Sequence, residues 1–266
     1  AVFELSEEQA AAGVVTHSSG NHAQALALAA KLRGIPAHIV MPAGAPQIKC
    51  RAVEGYGGRV IECRPTLADR EGAAARIVAE TGAAFIHPYD NPLVIAGQGT
   101  AALEIVEELG QVDAVLAPIG GGGLISGTAL ALREFAPAVS VIAAEPAGAD
   151  DAARSKQAGR LIPLEQANTI ADGLRTSLGE LTWPVVRDLV SRVITVSEEE
   201  IARAMRFIWE RTKLIIEPSA AVPVAALLQP GFDPEGRFSR VAVILSGGNV
   251  DLDRLPWQPA AGGNPG

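Results

Sequence analysis

The chain has 266 residues, a hydrophobic fraction of 48%, an aromatic fraction of only 4% and a formal net charge of −8. This length predicts one large α/β domain or two smaller ones, with a core of Ala, Val, Ile and Leu. The negative charge argues against nucleic acids and anionic membrane surfaces as partners. No stretch reaches the roughly 18 apolar residues of a membrane span. Cys50 and Cys63 are expected to be reduced thiols of a cytoplasmic protein.

Strand-like and helix-like segments alternate along the chain. The first block is predicted to hold strands at 14–16, 37–41, 59–63 and 84–86 and helices at 23–32, 48–56 and 67–81. The second block is predicted to hold helices at 96–108, 124–135, 198–213 and 219–228 and strands at 114–118, 139–144 and 240–245. This alternation predicts an α/β fold with parallel sheets and right-handed crossovers. Residues 256–266, rich in Pro, Gly and Ala, are expected to form a disordered tail.

A polar turn, Ser18-Ser19-Gly20-Asn21-His22, follows the first predicted strand and precedes an alanine-rich helix. Open α/β sheets bind ligands beyond the carboxyl ends of their strands. The free N–H groups and the positive dipole end at a helix start also attract carboxylate or phosphate. On its own the turn is equally well explained as a helix cap, because Ser and Asn are good capping residues.

Four consecutive glycines, Gly120 to Gly123, stand between a predicted strand and a predicted helix. A backbone without side chains can wrap an anion there, although the alternative is a loop that is merely tight. The pattern is neither a dinucleotide fingerprint nor a Walker A loop, so it suits one terminal phosphate of a mononucleotide-sized cofactor. Ser246-Gly247-Gly248-Asn249 repeats the arrangement after the last predicted strand. Three such turns are expected to converge on one crevice.

These motifs together resemble the fold type II (tryptophan synthase β-like) pyridoxal-phosphate enzymes, and most closely the serine racemase and threonine/serine dehydratase group. The resemblance runs from Ala1 to about Asp251 and is carried by residues 16–24, 91–100, 118–124, 144–146, 169–173, 217–220 and 246–249. It implies two open twisted, mostly parallel sheets with helices on both faces. Residues 1–92 would form a small substrate-side domain and residues 93–255 a large cofactor-binding domain, incomplete without upstream residues.

The resemblance assigns the residues that would hold pyridoxal phosphate (PLP). It makes Asn21 the partner of the ring hydroxyl and Ser246 the partner of the pyridine nitrogen. The phosphate cradle would be Gly120, Gly121, Gly122 and Gly123 with the N–H of Leu124. A serine hydroxyl does not hold the pyridine ring protonated, so it suits elimination and racemisation better than transamination.

The resemblance also assigns the substrate side of the site. Ser18, Asn21 and His22 would bind the substrate carboxylate, together with the helix start. Ser19 would face the α-carbon opposite the cofactor lysine and move a proton on that second face. Arg70 aligns with an arginine that reaches a second substrate carboxylate, and its alternative is a solvated helix residue.

A divalent-metal site is implied at Glu145, Ala149 and Asp151. Two carboxylates, a backbone carbonyl and waters make a hard oxygen site for Mg²⁺ or Ca²⁺, with Mn²⁺ as a further option. The alternative is that Asp150 and Asp151 only cap the following helix.

The lysine that carries PLP as a Schiff base is the missing part of the resemblance. In the family it lies in a Ser-Phe-Lys-x-Arg-Gly stretch just upstream of the position of Ala1. The lysines of this chain are Lys31, Lys49, Lys156 and Lys213, none stands in that motif, and all four are predicted to lie on the surface. The chain is therefore expected to be a fragment without its N-terminal part, unable to perform the reaction alone.

The resemblance implies PLP-dependent dehydration of L-serine or L-threonine to a 2-oxo acid and ammonia, with serine racemisation as a further activity. One alternative is a β-replacement synthase of the same fold, of the cysteine synthase type. Another is a non-catalytic cofactor-binding or regulatory protein that has lost its lysine. A small amino acid is the expected substrate, and a homodimer is the family expectation.

Overall fold

The computed structural model describes residues 1–45 and 47–258. The chain folds into two compact units, Ala1–Gly97 and Gln98–Gly266. Each unit has its own sheet of four parallel strands, so the predicted α/β class with two parallel sheets is confirmed.

The first unit has the strand order β3-β2-β1-β4. Its strands are β1 (Val14–His17), β2 (Ala37–Pro42), β3 (Arg59–Cys63) and β4 (Ala84–Phe85). Its helices are α1 (Glu7–Ala11), α2 (Asn21–Arg33), α3 (Gln47–Gly55) and α4 (Leu67–Thr81), and the long helix α5 (Pro92–Leu109) carries the boundary to the second unit.

The sheet of the first unit is buried on both faces because successive side chains of a strand point to opposite sides. Val14 and Ile39 pack on one face against the alanines of α2. Val15 and Val40 pack on the other face against the alanines of α4. The small side chains let both helices approach the sheet closely, and this fixes the start of α2 beside the end of β1.

The second unit has the strand order β7-β6-β5-β8. Its strands are β5 (Ala114–Pro118), β6 (Ser140–Pro146), β7 (Arg192–Val196) and β8 (Val241–Val243). Its helices are α6 (Gly123–Phe135), α7 (Asp151–Ala158), α8 (Thr182–Leu189), α9 (Glu198–Thr212) and α10 (Pro218–Leu227). Helices α1 and α8 and strand β7 were not predicted from the sequence, and α7 was expected only as the helix that Asp150 and Asp151 would cap.

Two packing layers enclose the sheet of the second unit. Val115 and Ala143 pack with α6 and α8 on one side, whereas Ala144 packs with α9 and α10 on the other. Every residue of β5 is buried. A fully buried parallel strand places its polar groups where it ends, at the carboxyl edge of the sheet.

The carboxyl end of the described chain is anchored by tryptophan. Trp257, which the sequence analysis counted to the tail of 256–266, packs edge-to-face on Trp209 with the ring centres 5.4 Å apart. The rest of that predicted tail, residues 259–266, lies outside the described residues. Over the described ranges, no helix combines the length and apolar character that crossing a membrane requires.

Candidate active site

The polar turn of the first unit connects β1 directly to α2. The N–H of Ser18 donates to the carbonyl of Val40 at 3.1 Å and so continues the sheet pairing by one residue. The Ser18 hydroxyl accepts the N–H of Gly20, the N-cap residue of α2, at 3.3 Å. Ser19 is half-buried and Asn21, the first helical residue, is exposed. The turn therefore places two hydroxyls and a carboxamide at the start of a thirteen-residue helix.

The imidazole of His22 has an internal partner. Its Nε2 donates to the carbonyl of Ile86, just beyond β4, at 3.3 Å. Burial lowers the pKa of His22 to about 4, so the ring is neutral at neutral pH. The ring ties the start of α2 to the end of β4 and offers no positive charge. Carboxylate binding at His22 stays a prediction, and a carboxylate there would need further donors from the turn.

A cluster of rings that the sequence analysis did not single out lies at the same edge of the sheet. His17 stacks on Phe85 with the ring centres 5.6 Å apart and meets His87 edge-on at 5.8 Å. His87 meets Tyr89 edge-on at 4.6 Å. The Nδ1 of His87 accepts the N–H of Asp90 at 2.9 Å, which fixes the proton of the neutral ring on Nε2. The sequence signal was that His17 and His87 each follow an apolar strand.

Arg70 projects from α4 toward this cluster. Burial, the neighbouring His87 and the positive charge of Arg70 together lower the pKa of His17 to about 4. The Nε of Arg70 is buried and has no hydrogen-bond partner among the described residues. An unsatisfied guanidinium N–H is costly, which favours an anion-binding role over a solvated helix residue.

The glycine loop of the second unit joins β5 to α6. Gly121, Gly122 and Gly123 are buried. Among the described residues, no backbone hydrogen bond outside the helices and strands has Gly122, Gly123 or Leu124 as its donor, and the first N–H groups of a helix have no acceptor within the helix itself. Buried N–H groups require a partner, and these three stand at the positive end of a thirteen-residue helix. The loop therefore suits a bound phosphate group.

Ser246 follows β8, the parallel neighbour of β5, so it lies at the same edge of the sheet as this loop. The N–H of Ile244 donates to the carbonyl of Leu116 at 2.9 Å, so the pairing extends almost to Ser246. The turn that follows is packed tightly: a side chain on Gly248 would place its Cβ 2.5 Å from the carbonyl oxygen of Ile215. A glycine loop suited to phosphate and a serine hydroxyl at one sheet edge would fit the two ends of PLP, the phosphate and the pyridine nitrogen.

Glu145 and Asp151 bring two buried carboxyl groups to the same unit, each only 1% exposed. Glu145 accepts the N–H groups of Ala153 at 2.6 Å and Ala152 at 3.2 Å, and burial raises its pKa to about 8. Asp151 accepts the N–H of Leu178 at 3.1 Å, and burial raises its pKa to about 6. Asp151 thus reaches away from its own helix, and no side-chain cap hydrogen bond comes from Asp150.

These two carboxyl groups could hold a cation only together with carbonyl and water oxygens. Within the described part of the chain, no group of three or more His, Cys, Asp or Glu side chains is placed to bind a metal ion. Ala149, the predicted carbonyl ligand, is buried, and it lies between the two acids along the sequence.

The prediction that all four lysines lie on the surface is wrong for two of them. Lys31 and Lys213 are exposed, but Lys49 is only 8% exposed on α3. Lys156 lies half-buried on α7, and its Nζ donates to the carbonyl of Arg187 at 2.8 Å, near the end of α8. Burial of Lys49 was not visible from the sequence because its helix, α3, is short and polar.

Known proteins are similar to this chain in both sequence and fold. A serine racemase of Arabidopsis thaliana is 55% identical over 96% of this chain and 78% of that protein. A beta-hydroxyaspartate dehydratase of Paracoccus denitrificans is 54% identical over 97% of this chain and 81% of that protein. The structure of maize serine racemase has a TM-score of 0.93 and 51% identity, covering 95% of this chain and 78% of that one. The family model "Pyridoxal-phosphate dependent enzyme" matches residues 1–247, and the chain belongs to this family.

Proposed function

We propose that this protein uses PLP to eliminate the β-hydroxyl group of L-serine or L-threonine as water. Hydrolysis of the resulting enamine then gives a 2-oxo acid and ammonia. The observation that carries the proposal is the glycine loop at the start of α6, whose buried N–H groups lack a backbone acceptor among the described residues, at the same sheet edge as the hydroxyl-bearing Ser246 turn. The serine racemase and the dehydratase at over 50% identity support chemistry at the α- and β-carbons.

The second unit would hold the cofactor. Bound PLP supplies an electron sink for the charge left when the α-proton is removed. Gly120–Gly123 and the N–H of Leu124 would bind its phosphate, and Ser246 would bind its pyridine nitrogen. A neutral serine partner moderates the electron sink, which favours elimination and racemisation over transamination.

The first unit would hold the substrate. Ser18 and the helix start would bind its carboxylate, and Asn21 would bind both this group and the cofactor hydroxyl. Because His22 is neutral, binding here would depend on N–H and O–H donors rather than on a cation. Ser19 would hold or deliver a proton at the α-carbon, which allows racemisation alongside elimination.

A divalent cation belongs to the proposal as a structural element. Glu145, Asp151 and the carbonyl of Ala149 would bind Mg²⁺ or Ca²⁺ together with waters. Two carboxyl groups that are each 1% exposed are costly to ionise without a compensating positive charge. The cation would link the end of β6 to the start of α7 and the Leu178 segment.

The decisive assay measures 2-oxo acid and ammonia from L-serine and L-threonine with added PLP. It is run on the protein as its gene encodes it and, in parallel, on residues 1–266, whose lysines stand outside the Schiff-base motif of the family. Oxo acid formation by the encoded protein supports the proposal. Turnover of O-acetylserine with sulfide, without dehydration, would favour the β-replacement alternative, and the absence of all turnover would favour a non-catalytic protein.

A second candidate substrate is β-hydroxyaspartate, and Arg70 favours it. Its buried Nε without a partner among the described residues suits a second substrate carboxylate. The Paracoccus relative is named for that dehydration. Comparing kcat/KM for β-hydroxyaspartate and L-serine in the wild type and in Arg70→Gln tests this role. Selective loss of β-hydroxyaspartate turnover supports it, and an equal loss for both substrates contradicts it.

A further inference from the structure

We infer that Thr182 is a positioning residue of the phosphate cradle, which holds the Gly121–Gly122 peptide so that the N–H of Gly122 faces the bound phosphate. The inference rests on the proposed role of PLP and adds a residue that does not belong to the glycine loop. Thr182 is the first residue of α8 and stands 61 positions along the chain from Gly121.

The hydroxyl of Thr182 makes its shortest hydrogen bond to the glycine loop. Thr182 is 0% exposed. Its Oγ1 accepts the N–H of Gly179 at 2.9 Å and lies 2.7 Å from the carbonyl oxygen of Gly121. The carbonyl oxygen of Gly179 is a second acceptor at 3.3 Å, so the shorter distance favours donation of the single hydroxyl proton to Gly121. The N–H of Gly179 also approaches the carbonyl of Gly121, at 3.3 Å. The carbonyl of Gly121 is therefore held on the α8 side of the loop.

The direction of the Gly122 N–H follows from the planarity of the peptide. In a trans peptide the C=O and the following N–H point in opposite directions, and the described residues contain no cis peptide. With the Gly121 carbonyl held toward Thr182, the N–H of Gly122 must point away from α8. Without the Thr182 hydroxyl, only the longer bond from the N–H of Gly179 would hold this carbonyl, so the N–H of Gly122 would be fixed less firmly.

The shape of the loop supports the same assignment. Gly122 has φ of 90°, a conformation that favours glycine. A Cβ on Gly122 would lie 2.8 Å from both Cβ and Oγ1 of Thr182. Thr182 thus fills the space behind the loop as well as bonding to it. Its neighbour in the segment, Leu178, is fixed in turn by the Asp151 carboxyl group at 3.1 Å.

Two variants of one position separate hydrogen bonding from packing. Thr182→Val keeps the volume and removes the hydroxyl, whereas Thr182→Ser keeps the hydroxyl and removes a methyl group. Equilibrium dialysis measures the affinity of the full chain for PLP and for pyridoxal, which lacks the phosphate. We expect Thr182→Val to lose about tenfold in PLP affinity, with pyridoxal affinity unchanged. Thr182→Ser should stay within about twofold of the wild type for both.

Each outcome of this comparison bears on the inference. An unchanged preference for PLP over pyridoxal in Thr182→Val would overturn it, and so would an equal loss of both ligands, which marks a general disturbance. Equal binding of PLP and pyridoxal by the wild type would overturn the proposed phosphate site itself. That result differs from one in which the wild type prefers PLP and Thr182→Val keeps the same preference, which overturns only the role of Thr182.

A second measurement needs no variant. Hydrogen exchange of the Gly122 amide is followed by NMR as PLP is added to the wild-type chain. We expect this amide to be protected by PLP and not by pyridoxal. An exchange rate at Gly122 that PLP leaves unchanged, while Gly123 and Leu124 become protected, would contradict the inferred orientation of the peptide.

Discussion

The balance between racemisation and elimination is expected to depend on the hydroxyl group of Ser19. It is half-buried in the turn before α2, at the face assigned to the substrate. In the encoded protein, Ser19→Ala should lower the rate of D-serine formation by about 10²- to 10⁴-fold, the range for a lost acid–base group. Pyruvate formation from L-serine should fall less, because elimination needs no proton on the second face.

The matched control for Ser19 is its neighbour Ser18, which is also half-buried and also carries a hydroxyl. Ser18→Ala should raise KM for both reactions and leave their ratio unchanged, because its predicted partner is the substrate carboxylate. Chiral chromatography of the products gives the ratio directly. Racemisation that persists undiminished in Ser19→Ala would show that another group moves the second-face proton.

His17 is expected to make stability depend on pH. Its pKa falls from 6.5 to about 4 in the folded chain, through burial and the nearby His87 and Arg70. Between these values the unfolded chain binds more protons, so the free energy of unfolding decreases as the pH falls from 6.5 toward 4. The contribution of His17 that is lost over this window is about 3 kcal/mol, and it is fully present above pH 6.5.

Replacing the imidazole of His17 by a ring that does not titrate tests this contribution. His17→Phe keeps the stacking contact with Phe85, so its unfolding free energy should decrease less between neutral pH and pH 4 than that of the wild type. Urea titrations at several pH values give both slopes. His38→Gln is the comparison variant: burial also lowers the pKa of this half-buried residue on β2, so its removal should reduce the slope in the same direction. An identical slope in the wild type and His17→Phe would mean that His17 does not titrate differently on unfolding.

At the scale of single elements, two of the glycines at helix ends differ in what surrounds them. Gly122 before α6 and Gly159 after α7 both have positive φ, 90° and 68°. Alanine at Gly159 meets no atom within 4 Å, whereas at Gly122 its Cβ would lie 2.8 Å from Thr182. Gly159→Ala should therefore cost only the strain of about 1–2 kcal/mol, and Gly122→Ala about 1–3 kcal/mol more.

Thermal unfolding and PLP binding distinguish the two glycine variants. Gly159→Ala should bind PLP as the wild type does, because Gly159 ends α7 and belongs to none of the predicted cofactor-binding turns. Gly122→Ala should lose both stability and PLP affinity, since the overlap with Thr182 must displace the loop. Equal destabilisation of the two variants would show that the space behind Gly122 can adapt.

The elements that were predicted correctly are those with local signals at both ends. Helix α4 runs over Leu67–Thr81 as predicted, because Thr66 caps its start and Gly82 takes the left-handed conformation at its end. Helix α8 was missed because it has only eight residues and contains Pro184 in its first turn, where proline is tolerated. Strand β7 was missed because its residues are mostly half-buried at the edge of the sheet.

The position of the candidate turns in the fold was predictable from the sequence. Gly120–Gly123 and the Ser18–His22 turn stand at strand–helix junctions, which composition and periodicity locate. The partners of these turns were not predictable, because they come from distant parts of the chain. Thr182 reaches Gly121, and the ring of His22 reaches Ile86 across 64 positions. Such contacts depend on the packing of the sheets and leave no local pattern.

At the scale of the whole molecule, the two units have separate cores, so a ligand of one unit is expected to stabilise that unit. The hydrophobic clusters around α2 and α4 belong to the first unit, and those around α6 and α10 belong to the second. Glu145 and Asp151 lie in the second unit and connect β6, α7 and the Leu178 segment through their hydrogen bonds. A cation there should therefore protect these segments against opening.

Addition of Mg²⁺ or Ca²⁺ to chelator-treated protein tests this expectation. At about 100 times Kd the second unit should gain about 2.7 kcal/mol, which corresponds to a rise in Tm of about 5–10 °C. Hydrogen exchange should slow at Ala152, Ala153 and Leu178, whose N–H groups bond to the two carboxyl groups. Glu145→Gln should abolish the rise, whereas Asp188→Asn, an exposed acid of the same unit, should keep it. A rise that survives Glu145→Gln would place the cation elsewhere, because the amide cannot supply the charge that two buried carboxylates share with a divalent ion.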